Sequence, residues 1–123
     1  MTRIDLRQLT NEALAERFRA LALEKSGALL ESNIRAANRI FDKMRVIDQE
    51  LRARGIDARK VLIPLLDDPD MRVRYEAAVK SLAVAPQRAL ATIQAIAKRH
   101  LMPVSGEAGM ALQALEDGIF KPD

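Results

Sequence analysis

The side chains best suited by type to metal or acid–base chemistry are the closely spaced carboxylates Asp67, Asp68 and Asp70 and the single histidine, His100. Carboxylates suit hard cations such as calcium or magnesium, but this spacing is not that of an EF-hand loop. A turn explains all of them. Asp67, Asp68 and Pro69 end one helix, and Asp70 caps the next by accepting from its exposed backbone N–H groups. His100 falls at a helix end, where an imidazole favours the terminal carbonyls. The chain has no His-Glu-x-x-His pair, no glycine-rich phosphate loop, no Gly-x-Ser-x-Gly elbow and no cysteine. The reading therefore assigns no catalytic residue, no cofactor and no metal, and expects a protein that is not an enzyme.

The element positioning these residues is the stretch Val61 to Ala85. Val61, Leu62, Leu65 and Leu66 share one face of a helix expected to start near Ala58, with a slight kink at Pro64. After the acidic turn, Val73, Ala77, Ala78 and Leu82 recur at helical spacing, and the alanines let two helix axes approach closely. Asp68, followed by Val73-Arg74, Ala77-Ala78 and Leu82, resembles a HEAT repeat, in particular the phycobilin-lyase-type variant. In such repeats the Asp and Arg hydrogen-bond across neighbouring turns. The resemblance therefore implies a structural role for Asp68 and Arg74.

Ile4, Leu6 and Leu9 form an apolar lead-in to the chain. Thr10-Asn11 then caps a first helix with a stripe of Leu14, Phe18, Leu21 and Ala22, which Ala28 and Leu29 extend if Ser26-Gly27 is crossed without a break. A second helix runs from Ser32-Asn33 to Arg54 and ends at Gly55. Its inner face is expected to be Ile34, Ala37, Phe41, Met44, Ile47 and Leu51. The pairs Glu31-Arg35, Asp48-Arg52 and Glu50-Arg54 are expected on its outer face. Beyond the hairpin, Pro86 opens a helix with Ala89, Leu90, Ile93, Ile96 and Ala97. Ser105 caps a last helix with Ala108, Ala111, Leu112 and Leu115, ended by Gly118. Leu62 and Leu65 recur as Ile93 and Ile96, and Ala78 and Leu82 as Ala111 and Leu115, while Arg74 gives way to Glu107. The repeat is thus degenerate at its end, as terminal repeats tend to be.

These elements predict an all-α, HEAT-like α-α superhelix fragment, with about six helices in antiparallel pairs and a single domain over residues 1–123. A wider set of words, Asn38-Arg39-Ile40-Phe41-Asp42-Lys43-Met44, Glu50-Leu51, Leu65 to Ala78, Ala85-Pro86, Ala108-Gly109-Met110-Ala111-Leu112 and Gly118-Ile119-Phe120-Lys121-Pro122, is similar to the bacterial domain-of-unknown-function family 2019. That resemblance implies a small HEAT-like protein without an assigned activity.

Apolar residues make up 49% and charged residues 30% of the sequence, which excludes disordered and membrane-embedded classes. The first residues alternate charge with apolar side chains, unlike a secretory signal, so the expected location is the cytoplasm. Residues 1–62 carry 13 Lys/Arg against 9 Asp/Glu, whereas residues 63–123 carry 7 against 8. A small excess of this kind allows only weak, salt-sensitive nucleic-acid binding. The leading function class is a protein-interaction module that binds a partner protein on the concave face of the solenoid, with Arg35, Arg39 and Lys43 on the second helix and Arg72 and Tyr75 on the hairpin as its candidate surface. Asp68, Asp70 and Arg74 are assigned to the turn. Nucleic-acid binding by the basic second helix is the alternative, disfavoured by few aromatic residues. An enzyme or lyase accessory role rests on repeat type alone.

Overall fold

The computed structural model describes residues 5–123, so Ile4 of the expected lead-in lies outside the described residues. The fold is all-α. Six α-helices follow a 3-10 turn at Leu6–Gln8: α1 Asn11–Leu30, α2 Ile34–Arg54, α3 Ile56–Arg59, α4 Met71–Ser81, α5 Pro86–Ala97 and α6 Val104–Glu116, with a 3-10 helix at Lys60–Asp67. The chain divides into two compact units, Met1–Val61 and Leu62–Asp123. No helix among the described residues is long and apolar enough to cross a membrane.

In the first unit α1 and α2 form a helical hairpin. Thr10 starts α1, its hydroxyl accepting from the Ala13 N–H at 3.0 Å. The helix then passes Gly27 unbroken, because the glycine's cost is small beside the packing on either side. Leu14, Phe18 and Ala22 of α1 and Ala37, Met44, Ile47 and Leu51 of α2 are buried. Ile34 and Phe41, expected on that inner face, are instead exposed at 59% and 43%. At about 100° per residue they share a side roughly 80° round from the centre of the Met44–Leu51 stripe, at the margin of the α1 contact, where they stay partly open to solvent.

The expected Glu31–Arg35 pair does not form, since Glu31 caps α1 and precedes the first turn of α2. The other two pairs do form, but not on an open surface. Asp48 is buried and accepts from Arg52 Nε at 2.9 Å. Half-buried Arg54 binds Glu50 at 2.8 Å, the Asn11 side chain at 2.9 Å and the Leu6 carbonyl at 2.9 Å, pinning the start of the chain to the end of α2.

In the second unit α5 packs against both α4 and α6. Leu62, Leu66, Val73, Ala77, Ala78, Leu82, Ala89, Ile93, Ile96 and Ala108 are buried there. The helix expected from Ala58 is a single α-turn, α3, continued by the 3-10 helix. Pro64 lacks the N–H that would bond the carbonyl four residues back, and its ring crowds that carbonyl, so the chain tightens. Ser105 does not cap α6 as expected, because the helix starts one residue earlier at Val104. Its buried hydroxyl donates to the Ile96 carbonyl at 2.7 Å and accepts from the Leu101 N–H at 2.8 Å, tying the α5–α6 loop to α5. Gly118 has φ of 73° in a helix-ending motif in which its own N–H bonds Leu115 and that of Ile119 bonds Ala114.

Gly55 separates α2 from α3 with φ of 111° and ψ of −179°, a region open essentially to glycine alone. An added Cβ would meet nothing within 4 Å, so the constraint is the backbone and not crowding. Gly55→Ala is therefore expected to cost about 1–3 kcal/mol of stability, measured by denaturant unfolding, with native helix content retained.

Candidate functional site

The acidic turn holds its carboxylates in separate duties. Asp70 caps α4, accepting from the Val73 N–H at 3.0 Å. Asp68 accepts from the Asp70 N–H at 2.9 Å, and Asp67 pairs with Arg88 at 2.9 Å. Arg74 donates to the carbonyls of Asp68 and Pro69 at 2.8 and 3.1 Å. The Asp68–Arg74 link across the turn thus runs from guanidinium to backbone carbonyl. Among the described residues no cluster of three or more metal-ligating side chains occurs. His100 lies just past α5 with φ of 55° and an exposed ring. Its side chain bonds no terminal carbonyl, contrary to expectation, and the residue ends the helix through its backbone instead.

Arg72 and Tyr75, expected on an exposed partner surface, are buried, at 3% and 9% exposure. At 100° per residue both point from α4 toward α6, and the apolar spacing that identified Val73, Ala77 and Ala78 gave no sign of a second buried face. Arg72 donates to Glu76 at 3.1 Å and, through its other terminal nitrogen, to Glu107 of α6. The Tyr75 hydroxyl donates to the Glu107 carbonyl at 3.3 Å, and the Arg72 guanidinium lies 5.9 Å from the Tyr75 ring centre.

Burial disfavours the Arg72 cation, but hydrogen bonding and charge from Glu107, then Glu76, outweigh it and hold its pKa above the ordinary value. Burial pushes the Tyr75 phenol up to about 12, and the charges of Glu76 and Glu107 add to the effect. The cluster thus compensates its own charge and has the character of an internal brace. The sequence signal that could have found it is Glu107 replacing the repeat's arginine.

Arg35, Arg39 and Lys43 are placed as expected, exposed on the outer face of α2. None has an ion-pair partner among the described residues, whereas Arg45, Arg52 and Arg54 of the same helix pair with Asp42, Asp48 and Glu50. Val46 is 43% exposed on the same outer face, whereas Phe41 lies on nearly the opposite side of α2 and carries the Lys25 ammonium of α1 5.2 Å from its ring centre.

A family model described as "Domain of unknown function (DUF2019)" matches residues 12–116. The chain belongs to the DUF2019 family. The DUF2019 fold recurs in the crystal structure of the protein RPA1889 from Rhodopseudomonas palustris CGA009, which is 41% identical. That match covers 98% of this chain and 100% of the other, with a TM-score of 0.91. No curated protein matches the chain.

Two kinds of prediction, on stability and on pH, follow from the brace and the acidic turn of this DUF2019 chain. Arg72→Met strands two carboxylates in a buried site and is expected to cost about 3–5 kcal/mol, of which pairing it with Glu76→Leu and Glu107→Leu recovers most. Arg74→Ala, which loses two bonds to carbonyls, is expected to cost about 1–3 kcal/mol; thermal unfolding of the variants checks both. The second prediction concerns alkaline pH. Tyr75 is the only tyrosine, so tyrosinate absorbance reads it alone. Its folded pKa of about 12 lies above the ordinary 10.0, so the folded state holds the proton after the unfolded chain has lost it. Stability is then fully present below about pH 10 and falls as pH rises toward 12. Tyr75→Phe is expected to flatten that fall.

Proposed function

We propose that this DUF2019 chain is a non-catalytic, HEAT-like helical module of the cytoplasm that binds a partner protein through the outer face of α2. The observation that carries this reading is the stripe Arg35, Arg39 and Lys43, left without counter-ions on a helix whose other cations are paired. Three exposed cations at four-residue spacing, with the exposed Val46 among them, suit an acidic partner surface that sets an apolar side chain among its carboxylates. Nucleic acid would use the same cations for phosphate contacts. The exposed Asp42 on that helix and the scarcity of exposed rings weigh against it.

The triple variant Arg35→Ala, Arg39→Ala, Lys43→Ala keeps good helix formers at exposed positions and is expected to unfold within about 0.5 kcal/mol of the parent. Affinity capture from nuclease-treated extract, comparing the parent with the variant, is expected to return a partner that only the parent retains. A salt-titrated DNA-binding assay is expected to show affinity fading steeply between about 50 and 200 mM salt. DNA binding that persists at physiological salt and vanishes in the variant would replace the protein-partner reading with the nucleic-acid one.

A further inference from the structure

The second unit carries a groove of about 310 Å³ between the end of the 3-10 helix and the outer side of α5, lined by Leu66, Arg74, Ala91, Thr92, Ala95, Ile96 and Arg99. Its floor is made of short apolar side chains, Leu66 and Ile96 buried beneath the exposed Ala91 and Ala95. No carboxylate lines it. Arg99 is exposed and its side chain has no partner among the described residues. Arg74 spends its hydrogen bonds on the carbonyls of Asp68 and Pro69, so its positive charge also meets no carboxylate. Nearby Asp67 is engaged by Arg88, and the Thr92 hydroxyl donates to the Arg88 carbonyl, leaving its oxygen able only to accept.

We infer that this groove is a second docking site, separate from α2, for an acidic segment of a partner protein whose side-chain carboxylates meet Arg74 and Arg99. Charge complementarity selects the occupant: two uncompensated guanidinium groups flank an apolar floor that suits one aliphatic side chain. A short acidic segment with aliphatic residues among its carboxylates can set those carboxylates against the guanidinium groups at the rim while one aliphatic side chain rests on Ala91 and Ala95.

The test uses the full chain and a fluorescein-labelled, C-terminally amidated hexapeptide of alternating leucine and glutamate, with a glutamine counterpart, followed by fluorescence anisotropy. Saturable binding of the glutamate peptide is expected, with at least about tenfold weaker binding of the glutamine peptide, since charge-assisted bonds are lost. Arg99→Ala is expected to weaken the glutamate peptide by about tenfold. Ala95→Glu is expected to abolish binding without loss of stability, because the introduced carboxylate occupies the groove from an exposed helix position. The Arg35→Ala, Arg39→Ala, Lys43→Ala variant is expected to bind the peptide as the parent does. Equal affinity for the two peptides, no saturable binding, or binding untouched by Arg99→Ala and Ala95→Glu overturns the inference. Loss of peptide binding in the α2 variant alone would also overturn it, while supporting the α2 surface as the acidic-partner site.

Discussion

A guanidinium taken out of water must be matched by carboxylates, and Arg72 imposes that constraint on the second unit. Leaving it unmatched would cost several kcal/mol, comparable with the whole stability of a small domain. Glu76, one turn further along α4, supplies the first partner, and Glu107 supplies the second from α6. The ion pair therefore specifies which turn of α6 faces which turn of α4, something that alanine and leucine packing leaves loosely defined. Tyr75 adds a hydrogen bond to the backbone of the same α6 turn, and its ring shields the guanidinium from solvent. Arg54 plays a similar part in the first unit, where one side chain gathers Glu50, Asn11 and the Leu6 carbonyl.

The helix ends are fixed by a different kind of constraint. Between α1 and α2 only Glu31, Ser32 and Asn33 intervene, and Ser32 reverses the chain at φ of 57° while the Asn33 N–H bonds the Ala28 carbonyl at 2.8 Å. A serine here carries a conformational cost that glycine would not, and the tertiary contact of the two long helices it joins holds it in place. Gly55 and Gly118 make comparable reversals where the sequence supplies the residue suited to them. His100 does so beyond α5.

The functional picture rests on which charges stay without partners. Three of the six cations of α2 are paired within the chain, and the three on its outer face, like Arg99 along the groove beside α5, are available to another molecule. An exposed cation without a counter-ion adds little to stability. Its presence is easier to understand as part of a surface that meets negative charge on a partner. Buried Arg72 and half-buried Arg54 have the opposite character, their hydrogen bonds being spent within the fold.

The sequence by itself determined the helices, because periodicity, caps and breakers act within a few residues. Thr10 and Asp70 accept from the first turns that the sequence assigns them to cap, Asn33 does so where the second helix is read to begin, and Gly55 and Gly118 stand past helix ends. The buried stripe Val73, Ala77, Ala78 and Leu82 was equally legible, as was family membership, carried by words spread along the chain. The tertiary structure alone decided the direction in which amphipathic residues point. Ile34 and Phe41 lie at the margin of a stripe, and whether a marginal residue is covered depends on where the neighbouring helix runs. Arg72 and Tyr75 read as surface because a charged or phenolic side chain is normally solvated. Their burial follows from Glu107, thirty-five residues away in the chain, which lies close only once α5 and α6 have packed. Pairings at that separation have no local signature, so the brace of the second unit became visible only in the folded molecule.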